Sequence, residues 1–238
     1  MSLKKLLSTF AVSLLPGLAF AGGSITPNLT TAGDNTSFSS GGSRFVSIEA
    51  QNSYCCDLVT TNAGATIASV STTIDATVDF TGVDRSTTTP AHSHGKRLCF
   101  LSTVTEFVSI SFGNLAPSPT NLDTQCNETS LFGGYNTNAN PFNFLEISNT
   151  TNSTITGKIY ATNFDGTVVV NGTAFSVAAG RRTDVDLHTP AGANKYGLLK
   201  IIHDGPLGAL QANVSFYSGT PADLTLRGTV PVIPRDKR

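Results

Sequence analysis

Four cysteines, Cys55, Cys56, Cys99 and Cys126, are the residues of this chain best placed for covalent chemistry. As thiolates they would bind metals or exchange disulfides; in oxidising surroundings they become structural cross-links. The spacing favours cross-links, since no Cys-x-x-Cys redox pattern occurs. Adjacent cysteines rarely bond to each other, because the small ring strains the peptide between them. On an extended strand Cys55 and Cys56 point to opposite faces. Each is therefore expected to bond Cys99 or Cys126, with both pairings open. A disulfide that closes a long loop contributes on the order of 2–4 kcal/mol, so a vicinal redox switch or thiolate metal site is the weaker reading.

Two further groupings have ligand-like spacing. His92 and His94 would share one face of an extended segment, where two imidazoles suit zinc or copper. Their surroundings have loop composition, no third ligand is identifiable nearby, and Lys96 and Arg97 disfavour a cation. Asp184, Asp186 and His188 alternate with Val185 and Leu187, so a strand would line all three along one side. The wet face of an antiparallel sheet explains that row more simply than a carboxylate-imidazole site does. The chain also lacks Gly-x-Ser-x-Gly, His-Glu-x-x-His, a P-loop and an EF-hand loop. No catalytic residue, metal or cofactor is assigned, and the absence of tryptophan weakens a sugar-stacking role.

The elements that hold these residues follow from composition and pattern. Residues 1–21 read as a secretory signal: Lys4 and Lys5, an apolar run from Leu6 to Leu15, and Ala19-Phe20-Ala21 as the cleavage site. The run is too short to span a bilayer, so a secreted, extracellular, cell-surface or periplasmic protein without later membrane insertion is expected. Cleavage removes two of the fifteen basic residues and none of the sixteen acidic ones, leaving thirteen against sixteen. So balanced a chain has no electrostatic footprint for nucleic acid. Seven Asn-x-Ser/Thr sequons occur, at Asn28, Asn35, Asn127, Asn149, Asn152, Asn171 and Asn213; they matter only in a glycosylating host.

After the signal, short runs of alternating apolar and polar residues recur, as in Val108, Ile110 and Phe112 or Ala212, Val214 and Phe216. No helical period is sustained. The fold class expected is all-β, an antiparallel β-sandwich built as two tandem immunoglobulin-like domains. The expected organisation is a signal peptide over 1–21, a flexible leader over 22–42 and a cysteine-bearing sandwich over 43–125. A junction over 126–140, a second sandwich over 141–229 and a disordered tail over 230–238 complete it. Asp165-Gly166 and Asn171-Gly172 predict two tight turns in a three-strand meander, and His203 to Leu210 predicts one more hairpin. A faint internal echo, Phe45 to Glu49 against Phe144 to Ser148, suggests that both halves are built alike.

Asn143-Phe144-Leu145-Glu146-Ile147 and Asn194-Lys195-Tyr196-Gly197-Leu198 resemble repeats in uncharacterised secreted bacterial proteins. Ala179-Gly180 before a strand is similar to a turn of bacterial immunoglobulin-like and fibronectin-III-like modules. The resemblance covers mainly residues 142–217 and implies display or binding roles without shared chemistry, so it assigns no functional residue. The expected function is a non-enzymatic protein for surface display, adhesion or assembly, with self-association or a surface protein or glycan as partner. Strand addition, with the leader as donor, is the physical route. A secreted carbohydrate-active or metal-dependent enzyme is one alternative, and a two-domain periplasmic chaperone is another.

Overall fold

The computed structural model describes residues 24–25, 36–38, 42–60, 66–74, 76–79, 95–116, 118–138, 142–220 and 222–234. The signal, most of the leader, the His92–His94 segment and residues 235–238 lie outside them. In chain order the strands are β1 (Ser24–Ile25), β2 (Thr36–Phe38), β3 (Ser43–Ile48), β4 (Asn52–Thr60), β5 (Thr66–Thr72) and β6 (Ala76–Asp79). They continue as β7 (Gly95–Ser102), β8 (Glu106–Ala116), β9 (Thr120–Glu128), β10 (Leu131–Asn136), β11 (Phe142–Asn149) and β12 (Ile155–Asn163). The last are β13 (Val168–Val177), β14 (Arg182–Asp186), β15 (Tyr196–His203), β16 (Leu210–Thr220) and β17 (Asp223–Pro234). Among the described residues the one helix is α1 (His188–Ala191). The chain is nearly all β, as the alternating pattern requires.

Strands β1 to β9 form two sheets, in the orders β1-β3-β8-β5 and β2-β9-β4-β7-β6. Val46, Ile48, Val108 and Ile110 of the first pack with Tyr54, Cys56, Leu58, Leu98, Phe100 and Leu122 of the second. Alternation puts these side chains inside and their neighbours outside; β3 reads this way residue by residue. Strands β10 to β17 make one antiparallel sheet in the order β13-β12-β15-β10-β17-β16-β11-β14. It curls about a second core that includes Leu145, Ile147, Ile159, Leu199, Ile201 and Val214. Its end strands β13 and β14 touch, so the sheet nearly closes. Each such aliphatic side chain contributes about 1.5–3 kcal/mol on leaving water.

Both halves share a pairing pattern. The antiparallel pairs β3–β8 and β4–β7 in the first have counterparts β11–β16 and β12–β15 in the second. Phe45 faces Ser109 across its ladder as Phe144 faces Ser215 across its own.

The structure corrects several local expectations. Asn171-Gly172 is not a turn: β13 runs straight through it, and the register slips there against Ile159 and Tyr160. Gly172, at φ 75, is the extra residue of a bulge. At Asp165-Gly166 only the glycine has positive φ, and Gly166 N donates to Asn163 O, giving a type I turn with a bulge. The step from His203 to Leu210 is not a hairpin, because β15 pairs with β12 and β10 while β16 pairs with β11 and β17. Residues 126–140, expected as a junction, hold the end of β9 and all of β10. The tail expected over 230–238 is strand as far as Pro234.

Candidate functional site

Strand β4 sits between β7 and β9, and each adjacent cysteine bonds the neighbour on its own side. Cys55 faces Cys99 and bonds it; Cys56 faces Cys126 and bonds it. Cys56–Cys126 lies within the first core. Cys55–Cys99 occupies the opposite face, where Cys55 Sγ lies 3.2 Å from the carbonyl oxygen of Gly205 in the second half. A bonded sulfur carries no proton, so this is a packing contact and not a donated hydrogen bond. One disulfide therefore braces a core and the other lies on the seam between halves. On the same face Arg97 forks onto Asp57 at 2.7 and 3.3 Å, a cross-strand pair.

The seam is polar and closely bonded. Thr129 and Ser130, which alone connect β9 to β10, are both buried. Ser53 N donates to Ser130 Oγ at 3.0 Å, and Thr129 Oγ1 donates to Ser53 Oγ at 2.9 Å. His203 Nε2 lies 2.9 Å from Thr129 O, and Gly205 N donates to His203 Nδ1 at 3.1 Å. A carbonyl can only accept and an N–H can only donate, so the ring is neutral with its proton on Nε2. Burial pushes the His203 pKa down to about 4, outweighing the opposing effects of the Thr129 carbonyl and the Asp204 carboxylate. His203 was not a sequence candidate; a lone histidine gives no spacing signal.

The residues of the acidic row bond to groups close to them in the chain or across one ladder. Asp184 receives Arg182 Nε at 2.7 Å and Nη2 at 3.1 Å. Asp186 Oδ1 accepts from His188 N at 2.8 Å and Thr189 N at 3.3 Å, which caps α1 one residue before its formal boundary. His188 leaves the strand, corrects the expected alignment and packs on Phe142, ring centroids 4.9 Å apart. Among the described residues no three His, Cys, Asp or Glu side chains gather as a metal set. His92 and His94 lie outside the described residues.

A cleft of about 710 Å³ runs between the halves past Ser102, Glu106, Thr156 and Asp204. Its polar groups hold backbone in place. Ser102 Oγ bonds Val104 O at 2.8 Å and also Glu106, and Asp204 accepts from Thr156 N at 2.8 Å and Thr156 Oγ1 at 2.7 Å.

A different feature is an open strand edge. β17 pairs with β16 from Asp223 to Val232 but with β10 only at Phe132–Ile233 and Leu131–Pro234. Continuing that register would set Gly134 opposite Pro231, which has no N–H to donate, and the ladder stops there. Beyond it, β17 has no strand on its outer side among the described residues. Leu226 and Val230 are 52% and 42% exposed on this edge. Where β10 and β17 splay apart, Asn136, Asn138, Phe216, Arg227 and Gly228 frame a cleft of about 370 Å³. An added Cβ at Gly228 would find no neighbour within 4 Å. The other edges of this sheet are guarded: β14 is short and carries exposed Arg182, Asp184 and Asp186, and β13 is bulged. Sequence reading missed this edge by assigning 230–238 to a disordered tail, whereas β17 runs to Pro234. The continued alternation of Leu224 and Leu226, then Gly228, Val230 and Val232, was the available signal.

No protein-family model matches the chain. No characterised protein and no solved structure matches it either. No helix of the described residues is long and apolar enough to cross a membrane.

Proposed function

We propose that this chain is a secreted, non-enzymatic protein of two immunoglobulin-like halves that assembles with copies of itself for surface display or adhesion. The open outer edge of β17 carries this reading. An exposed edge with apolar side chains and unpaired backbone groups is a template for another strand, and proteins without such a purpose block it. The occupant is the same edge of a second copy. Antiparallel pairing about a two-fold axis at Thr225 sets Asp223 of each copy opposite Arg227 of the other, and Leu224 opposite Leu226. Charges and apolar groups then complement each other without a second kind of partner. The leader is a weaker donor, since Ser24–Ile25 already pairs with β3 and Thr36–Phe38 with β9 of its own chain. The two disulfides suit an oxidising compartment, and the shared pairing pattern supports two related halves.

Native mass spectrometry of the mature protein over a range of concentrations tests the reading. Dimers or larger assemblies are expected, and Leu226→Lys with Val230→Lys should leave a folded monomer, because both side chains are exposed. A wild-type monomer at every concentration, or a double variant that assembles as before, overturns it.

A further inference from the structure

One side-chain group on the seam has the composition of a reaction. Lys200 lies on the face of β15 turned toward the first half, with Tyr160 and Phe132 beside it on the neighbouring strands. Its Nζ stands 5.2 Å from the centre of the Phe132 ring and hydrogen-bonds Asn52 Oδ1. Asn52 is 1% exposed. Its Nδ2 donates at 3.1 Å to Glu49 Oε2 and at 3.1 Å to the Tyr54 hydroxyl. An amine thus abuts an amide carbonyl whose nitrogen is already held by a carboxylate and a phenol.

We propose that Lys200 and Asn52 join in an intramolecular isopeptide bond across the seam. The free-amine form of Nζ attacks Asn52 Cγ, forming a new C–N bond and a tetrahedral centre. The bond from Cγ to Nδ2 then breaks. The proton lost by the attacking nitrogen goes to the departing one, with Glu49 as the group placed at that nitrogen to deliver it. One ammonia leaves and one secondary amide remains, with no change of oxidation state and no cofactor. Fixed proximity replaces an encounter, the largest advantage that such a reaction can have. Burial of Asn52 excludes the water that would otherwise compete for Cγ. Burial also raises the Tyr54 pKa, despite its bonds to Glu49 and Asn52, so its hydroxyl stays protonated beside the leaving group. The cross-link would close 148 residues of chain and lock the two halves together independently of the disulfides.

Intact-mass measurement of the mature protein, reduced and denatured, is the test. The wild type should be lighter than its sequence by one ammonia, and peptide mapping should find a branched peptide joining the Asn52 and Lys200 segments. Lys200→Arg keeps the charge and removes the nucleophile; it should show the full sequence mass and migrate more slowly on a reducing denaturing gel. Glu49→Gln keeps both reacting groups and should lower the cross-linked fraction. A wild-type chain at full sequence mass, with Asn52 and Lys200 in linear peptides, overturns the proposal. So does an ammonia loss that maps elsewhere, such as a succinimide at Asn171-Gly172.

Discussion

Acid should loosen this protein through one residue, His203. Its ring is neutral in the fold because it is buried, accepts from Gly205 N and donates to Thr129 O. The folded pKa is about 4 against an ordinary 6.5. Between those values the unfolded chain binds the proton more readily, so stability falls as pH falls. The contribution is whole above about pH 6.5 and is exhausted near pH 4. Between pH 7 and about pH 5 the loss comes to ~2 kcal/mol, taking 1.36 kcal/mol per unit. For a chain of this size that is a drop of ~4–8 °C in Tm. The informative quantity is a difference between the protein and a variant that lacks the imidazole. His203→Gln keeps a neutral donor near Thr129 and cannot titrate. Urea unfolding of both proteins at the two pH values should show the variant less stable at pH 7, with the gap narrowing by ~2 kcal/mol at the lower pH. Parallel pH profiles would refute the assignment of a buried neutral imidazole at the seam.

The remaining expectations concern the frame. Replacing Cys56 and Cys126 by alanine, or Cys55 and Cys99, should each cost ~2–4 kcal/mol by chemical denaturation, since the bridges span 70 and 44 residues. Gly157→Ala should cost ~2–3 kcal/mol, because a Cβ there would lie 2.2 Å from the carbonyl of Ile202 and 2.6 Å from the Phe175 ring; a neutral result in thermal melts would show that the strands can part. Asp186→Ala should cost ~1 kcal/mol through its two lost backbone acceptor bonds, read by the same melts. Calorimetry should give one unfolding transition for both halves, with equal calorimetric and van't Hoff enthalpies; two separated peaks would contradict a tightly bonded seam.

What the sequence disclosed depended on side-chain period. The alternation of Val108, Ile110 and Phe112 lies in β8, and that of Ala212, Val214 and Phe216 lies in β16, because their alternating residues enclose a core. Pairing was harder to read. Period two is the same whether a strand turns back on its neighbour or crosses to the opposite side of the core, so β15 and β16 looked like a hairpin. β10 was hidden by Gly133-Gly134, which offers no side chain to alternate. The structure gives a reason for Gly133: a Cβ would come within 2.9 Å of Val232 Cγ2, the residue that fills the core beneath it. Spacing flagged Asp184, Asp186 and His188, yet Asp184 is taken by Arg182, Asp186 by the start of α1, and His188 by the Phe142 ring. The seam residues Asn52, Lys200 and His203 carried no spacing signal, since they meet only when two distant segments fold together.

The dipeptide Cys55-Cys56 shows how one local fact organises the rest. Because consecutive residues of β4 face opposite ways, a single pair of adjacent cysteines reaches both neighbouring strands and both sides of the sheet. The inward bond lies among Tyr54, Leu58 and Phe100 of the first core. The outward bond makes that sheet's other face rigid, and it is this face that meets Gly205 of the second half. A connection of only Thr129 and Ser130 between β9 and β10 leaves no slack for the halves to part, and both residues are spent on hydrogen bonds across the seam. Buried polar groups of this kind cost free energy when unpaired, so separating the halves would strand His203, Ser53 and Asn52 together. The seam is therefore a second core made of polar contacts. It holds the first half against β15 and leaves the outer edge of β17, on the same eight-stranded sheet, open to another chain.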